Sequence, residues 1–147
     1  PIKYVAKVLE IKRAAQKVAA NWKDTQFRKA RAQGFVKTPF GRMRRFPPVT
    51  DNNLDEVKKA CVHMPIASGA SDLTLLSICE IVEAGYKVCG TWHDSIIVEV
   101  PLAQANDCAQ FMKTTMQRTG ERWYPNVKWV ADVEISERWY LDIPALD

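Results

Sequence analysis

Paired cysteines, long apolar runs and a leader segment are all missing from this sequence. Cys61, Cys79, Cys89 and Cys108 stand far apart with no Cys-x-x-Cys, and only His63 and His93 could add nitrogen ligands. Structural zinc sites draw their ligands from tight pairs, so that class is set aside. Reduced, mostly buried thiols are expected instead. No run of about eighteen apolar residues is present to span a bilayer. Residues 1–20 alternate Lys and Arg with apolar residues too regularly for a secretory leader. The sequence therefore reads as cytoplasmic, with no membrane partner. It also contains no internal repeat and no low-complexity stretch.

What is present is a chain of 147 residues, 47% hydrophobic and 26% charged, the size and balance of one globular domain able to bury a core. The net charge of +4 is unevenly placed. Lys and Arg crowd the first third from Lys3 to Arg45 against only Glu10 and Asp24, and most acidic residues follow Asp51. Such asymmetry suits a polyanionic partner, although solvated helix faces explain the lysines before Arg28 equally well. Arg42, Arg44 and Arg45 are different, because they follow a tight-turn sequence and flank Phe46.

Apolar residues at Ile2, Val5, Val8, Leu9, Ala15, Val18, Ala19 and Trp22 recur at helical spacing, predicting one or two helices to about Gln33. Gly34 suits the left-handed cap that stops them. Phe35 to Thr38 and then Pro39-Phe40-Gly41-Arg42 read as strand, turn, strand. After the loop Asp51-Asn52-Asn53, a helix is expected over 54–63, and Pro65 starts or kinks another that runs, largely buried, to about Ala84. Residues 88–92 and 96–100 are apolar strands around a tight turn, His93-Asp94-Ser95. Ala105, Cys108, Ala109, Met112 and Met116 mark one helix face, and residues 127–135 alternate as a last strand before Trp139. The fold class is α+β, helices on a small antiparallel sheet.

Three stretches then carry a resemblance. Gly34-Phe35-Val36-Lys37-Thr38-Pro39-Phe40-Gly41-Arg42 is similar to a Gly-x-Val-x-Thr-x-x-Gly-Arg segment of family A DNA polymerases, phage replicative ones especially. Lys59 to Ile66 and Ala70 to Leu76 resemble that family's long palm helix, and Trp92-His93-Asp94-Ser95 with Glu99-Val100-Pro101 resembles its motif C. The tail, Ser136-Glu137-Arg138-Trp139, is also similar. The three stretches stand in the family's order and span nearly the whole chain.

The resemblance implies part of a polymerase palm, with residues 1–33 leading out of the fingers and 34–147 forming the C-terminal palm subdomain around the motif C hairpin. It makes Asp94 the catalytic aspartate and a ligand of Mg2+ in a two-metal site. It places His93, Lys59 and His63 against the template-primer, with a deoxynucleoside triphosphate as the other partner; Arg42, Arg44 and Arg45, clustered beside the Pro-Phe-Gly turn, are expected to grip DNA phosphates or else to pair with Asp51, Asp55 or Glu56. An aspartate in a turn is ordinary by itself, since its side chain caps its own backbone. Motif A and the fingers residues that hold the triphosphate are not found in residues 1–32, and one aspartate cannot hold two metals. The chain is thus expected to be inactive alone and to be completed by another chain, as a split subunit or an excised fragment. If phage-encoded, it would work in the bacterial host's cytoplasm.

Several positions depart from the family. Where members carry Arg, Asn and Gln spaced four apart to read the minor groove, this sequence has Lys59, His63 and Ala67, and the following Gly is Ser68. Lys loses the planar fork and Ala67 cannot hydrogen-bond through its side chain. Ser95 stands where many bacterial members have Glu, as in phage relatives. The rival expectation is a noncatalytic DNA- or polymerase-binding module. Trp22, Trp92 and Trp129 are candidates for a seam with other polymerase segments, although buried core is the commoner role for any one of them.

Overall fold

A computed structural model describes residues 2–137. It divides the chain into two compact units, Pro1–Gly69 and Ala70–Asp147. The order of elements is α1 (Ile2–Ala15), α2 (Lys17–Gln33), β1 (Phe35–Lys37), β2 (Met43–Arg45), α3 (Leu54–Glu83), β3 (Lys87–Trp92), β4 (Ser95–Glu99) and α4 (Ala105–Trp123). The class is α+β as expected, but there are two separate two-stranded antiparallel sheets, β1–β2 and β3–β4, rather than one.

In the first unit Gly34 closes α2 at φ 75°, donating its N–H to the Ala30 carbonyl, the left-handed cap that its lack of a Cβ permits. The chain then reverses through Thr38-Pro39-Phe40-Gly41, where the Gly41 N–H reaches the Thr38 carbonyl at 3.0 Å. Thr38 is buried, and its Oγ1 accepts the Arg42 N–H at 3.2 Å. This hairpin pairs Phe35 with Arg45, Val36 with Arg44 and Lys37 with Met43. Ala30, Val36, Val57, Cys61 and Met64 form the core, with Phe27 and Phe46 packed against it. The apolar stripe of α1 has no such cover: Tyr4, Val5, Val8, Leu9 and Ile11 are all exposed.

Asn53 sets the start of α3, its side chain accepting the Thr50 N–H at 2.8 Å and its carbonyl the Val57 N–H at 2.9 Å. Contrary to the break expected near Pro65, α3 is one helix of 30 residues with Pro65 inside it. Proline forfeits its own bond to the carbonyl four residues back and its ring crowds that carbonyl, together about 3 kcal/mol. Burial of Cys61 and Met64 before it, and of Leu73 and Ile81 after it, holds the helix on either side. Unbroken, α3 is long and apolar enough to cross a membrane by length and composition, which corrects the reading that no segment qualifies. Its buried residues nevertheless include polar Asp72, Thr74 and Ser77, and the Ser77 hydroxyl donates to the Leu73 carbonyl at 2.9 Å.

The second unit packs β3 and β4 on α3 and α4 through Ile81, Ile96, Cys108 and Met112, joined by Tyr86, Val88, Val98, Phe111 and Met116. The face predicted from Cys108, Met112 and Met116 is therefore the core face of α4. Wholly buried Ile81 contributes about 1.5–3 kcal/mol by leaving water. Arg118 of α4 and Glu80 of α3 clamp the same layer with an ion pair at 2.5 Å. Residues 127–135, expected as a strand, belong to no strand: Val127 closes a turn on the Tyr124 carbonyl at 3.1 Å, and the rest have no ladder partner among the described residues. Trp139 and Arg138 lie outside the described residues.

The thiols also divide. Cys61 and Cys108 are buried, and burial raises both above the usual thiol range, whereas Cys79 and Cys89 are exposed. The expectation of mostly buried thiols therefore holds for only half of them. No group of three or more His, Cys, Asp or Glu residues able to hold a metal is found among the described residues.

Candidate catalytic and nucleic-acid site

The β3–β4 hairpin places Asp94. Trp92 pairs with Ser95 and Thr91 with Ile96, so the turn is the two residues His93 and Asp94, and Ser95 already belongs to β4. His93 takes φ 56°, the left-handed region. Two-residue hairpins need positive φ at their first central position, and histidine is among the few non-glycine residues that enter it, at about 1–2 kcal/mol. The result is an exposed Asp94 carboxylate at the hairpin tip. At the far end of the hairpin Lys87 donates to Glu99 at 2.6 Å, and that hydrogen bond is the main reason the Glu99 carboxyl sits below its ordinary range.

β4 has a free edge among the described residues, and a groove of about 1720 Å3 runs beside it. The groove is lined by β4 with Asp94 at one corner, by Cys108, Met112 and Met116 of α4, and by residues 129–137. Trp129 anchors that last segment. Its indole N–H donates to the Tyr124 carbonyl at 3.2 Å, and its ring lies directly on Gly120. A segment without a ladder and a strand with an unpaired edge thus line the same opening. Sequence reasoning read residues 127–135 as a strand but had no signal for the open space.

The remaining candidates lie in the first unit. Lys59, His63 and Ala67, spaced at one helical turn, are all exposed on α3. The Arg44 guanidinium lies over the Phe46 ring at 5.5 Å, and Lys37 and Lys58 lie similarly over Phe35 and Phe27. Each ring holds a cation at the surface without neutralising it. Arg44 and Arg45 form no ion pair with another described residue. The backbone of Arg42 is tied into the turn, its N–H to Thr38 Oγ1 and its carbonyl to the Thr38 N–H at 2.9 Å.

A single exposed carboxylate supplies at most two of the roughly six oxygen ligands that a divalent ion takes. The described residues therefore do not form a metal cage unaided.

Comparison with known proteins bears on what this arrangement descends from. The chain is 28% identical over 129 residues to DNA polymerase I of Streptococcus pneumoniae, covering 82% of this chain and 14% of that protein. It is 30% identical over 127 residues to the thermostable DNA polymerase I of Thermus thermophilus, covering 80% of this chain and 15% of that one. The chain thus spans about one seventh of the length of these relatives. A solved structure described as the POL domain of Pol1 from M. smegmatis in complex with DNA primer-template and dNTP shares the fold, with TM-score 0.59 and 20% identity over 68% of this chain and 19% of that one. The family model described as DNA polymerase family A matches residues 3–141. That match takes in both hairpins and the whole of α3 and α4, so the motifs noted separately in the sequence are parts of one inherited unit, and the chain belongs to DNA polymerase family A.

Proposed function

We propose that this chain is the C-terminal palm portion of a template-directed DNA polymerase, with residues 1–33 leading out of the fingers and 34–147 forming the palm subdomain. The observation that supports it is the setting of Asp94, an exposed carboxylate at the tip of the β3–β4 hairpin beside a groove along an unpaired strand edge. A strand entering that groove could pair with β4 by edge addition and carry a second carboxylate to Asp94. That strand and the residues holding the incoming deoxynucleoside triphosphate belong to polypeptide beyond these 147 residues, in one longer chain or in a partner. The exposed stripe on α1 is a surface for the same polypeptide to cover.

Two Mg2+ ions, when bound, supply activation of the primer hydroxyl and neutralisation of the leaving pyrophosphate. This chain's own residues have narrower tasks. Asp94 presents one hard anionic ligand, and His93 stands next to it where the primer ends. Lys59 and His63 face the template-primer, with weaker minor-groove reading than an Arg, Asn and Gln set would give. The turn Thr38 to Arg42 and Ser95 after Asp94 favour a relationship to phage members of the family.

Reconstitution tests the assignment. The purified chain gives no primer extension alone and regains it when mixed with a polypeptide bearing the upstream palm and fingers, the two co-sedimenting. Extension by the isolated chain would sink the incomplete-site reading. The rival, a noncatalytic DNA-binding module, is favoured by the absence of all three minor-groove residues. It is supported if the mixture binds template-primer but never extends it.

The arginines give a separate prediction. Guanidinium groups on a short hairpin grip phosphates and position DNA without reading its sequence. Arg44→Ala and Arg45→Ala should each lower the slope of log affinity against log salt by about one unit, equally for all sequences. Salt titration together with thermal melting checks this. An unchanged slope with a lowered Tm would assign that arginine to structure and remove it from the DNA-binding site.

A further inference from the structure

Trp92, the residue before the His93–Asp94 turn, is 63% exposed. Leaving a tryptophan in water forgoes the burial that makes large aromatics the strongest core formers, about 2–3 kcal/mol. The register explains why the core cannot take it. Thr91 stands opposite Ile96, which is buried in the second unit's core, so the next pair, Trp92 and Ser95, projects from the other face of the hairpin. The neighbours on that face leave the indole open: Gly90 has open space where a Cβ would stand, Ser95 is small and exposed, and the larger side chain there is Ile97, opposite Gly90. The ring contact is with His93, centroids 5.3 Å apart and planes at 76°. That edge-to-face meeting fixes the indole beside the turn and leaves it without a ring stacked parallel on it.

We propose that Trp92 is a nucleoside-stacking residue, its indole packing on the 3′-terminal nucleoside of a DNA strand delivered to the His93–Asp94 turn. The inference rests on the reading of Asp94 given above. A nucleoside fits this position better than a protein seam does. Packing a dry protein surface over the turn would strip water from the Asp94 carboxylate next door, a cost that requires a charged or donating partner. A terminal nucleotide covers the indole with an apolar ring face while offering a hydroxyl donor to the carboxylate. The groove along β4 is lined by Asp94 and Ser95 and not by Trp92.

The test labels the chain's five tryptophans with 5-fluorotryptophan and identifies Trp92 by its missing 19F resonance in Trp92→Phe. Titration with a DNA hairpin bearing a recessed 3′ end should shift the Trp92 resonance. Trp92→Leu should weaken binding about 5- to 100-fold, the worth of one base–aromatic stack, and Trp92→Phe should keep most of the affinity. If Trp92→Leu fails to fold, the shift in the wild-type chain decides. DNA binding with the Trp92 resonance unmoved overturns the stacking role and leaves the polymerase reading intact. A resonance that moves on adding the complementary polymerase segment without DNA overturns it in favour of a seam. Absence of DNA binding by the chain and its reconstituted mixture overturns the polymerase reading and this inference with it.

Discussion

Asp94→Ala in the reconstituted assembly should lower the rate of primer extension about a thousandfold or more, the consequence of losing roughly 4 kcal/mol of charge stabilisation in the transition state. The loss belongs to chemistry and not to folding, because Asp94 is exposed at a two-residue turn and makes no core contact. The melting temperature should stay within about 1 °C of wild type, as for surface substitutions away from special features. Asp94→Asn keeps size and hydrogen-bonding capacity while removing charge, and should lose nearly as much rate as alanine. Lys59→Ala and His63→Ala, by contrast, should alter template-primer affinity more than the maximal rate, since the proposed reading sets them against DNA and away from the reacting atoms. Single-turnover extension across this series separates the roles. An Asp94→Ala rate close to wild type would remove Asp94 from the catalytic site.

Much of this arrangement was legible because the relevant signals are local. Gly34, Thr38-Pro39-Phe40-Gly41 and the apolar runs around His93-Asp94 specify a cap and two hairpins by backbone conformation alone, and all three are present. The misreadings concern residues whose state is set by distant packing. Pro65 is a breaker by propensity, yet its lost bond and the crowding of its ring are outweighed by burial along both halves of α3. Residues 127–135 have a strand's alternation, but a ladder needs a neighbour, and none is available among the described residues. Thiol exposure was misjudged because Cys89 lies in an apolar strand at the place where the β3–β4 register shifts between Val88 and Gly90. The exposure of Trp92 could have been found by counting alternation from Ile96, although the apolar run around it suggested a strand buried on both faces. For Asp94 the proposed role rests on motif order, since an aspartate in a turn carries no chemical signal of its own.

Gly120→Val should destabilise the second unit and detach the wall of the groove that residues 129–137 provide. Gly120 is buried in the last turn of α4, and a Cβ there would stand 2.3 Å from Trp129 Cδ2 and 2.4 Å from its Cγ, far inside contact distance. Neither side can yield cheaply. The helix backbone is fixed by its own hydrogen bonds, including that from the Tyr124 N–H to the Gly120 carbonyl at 2.9 Å. The indole is held by its N–H bond to the Tyr124 carbonyl and by its tilted contact with the Tyr124 ring, centroids 6.0 Å apart. Replacing a helical glycine by alanine ordinarily gains about 1 kcal/mol of helix propensity, so Gly120→Ala separates two effects of opposite sign. Overpacking costs about 1–3 kcal/mol and should win, lowering Tm even for alanine. The displaced indole should also lose its apolar surroundings, shifting part of the tryptophan emission to longer wavelength before global unfolding. Trp129→Ala in the Gly120→Ala background removes the clash and should recover the propensity gain, giving a double-mutant coupling of at least about 1 kcal/mol. If Gly120→Ala instead raises Tm and leaves the emission unchanged, Trp129 does not rest on α4, and the groove beside Asp94 lacks the wall described here.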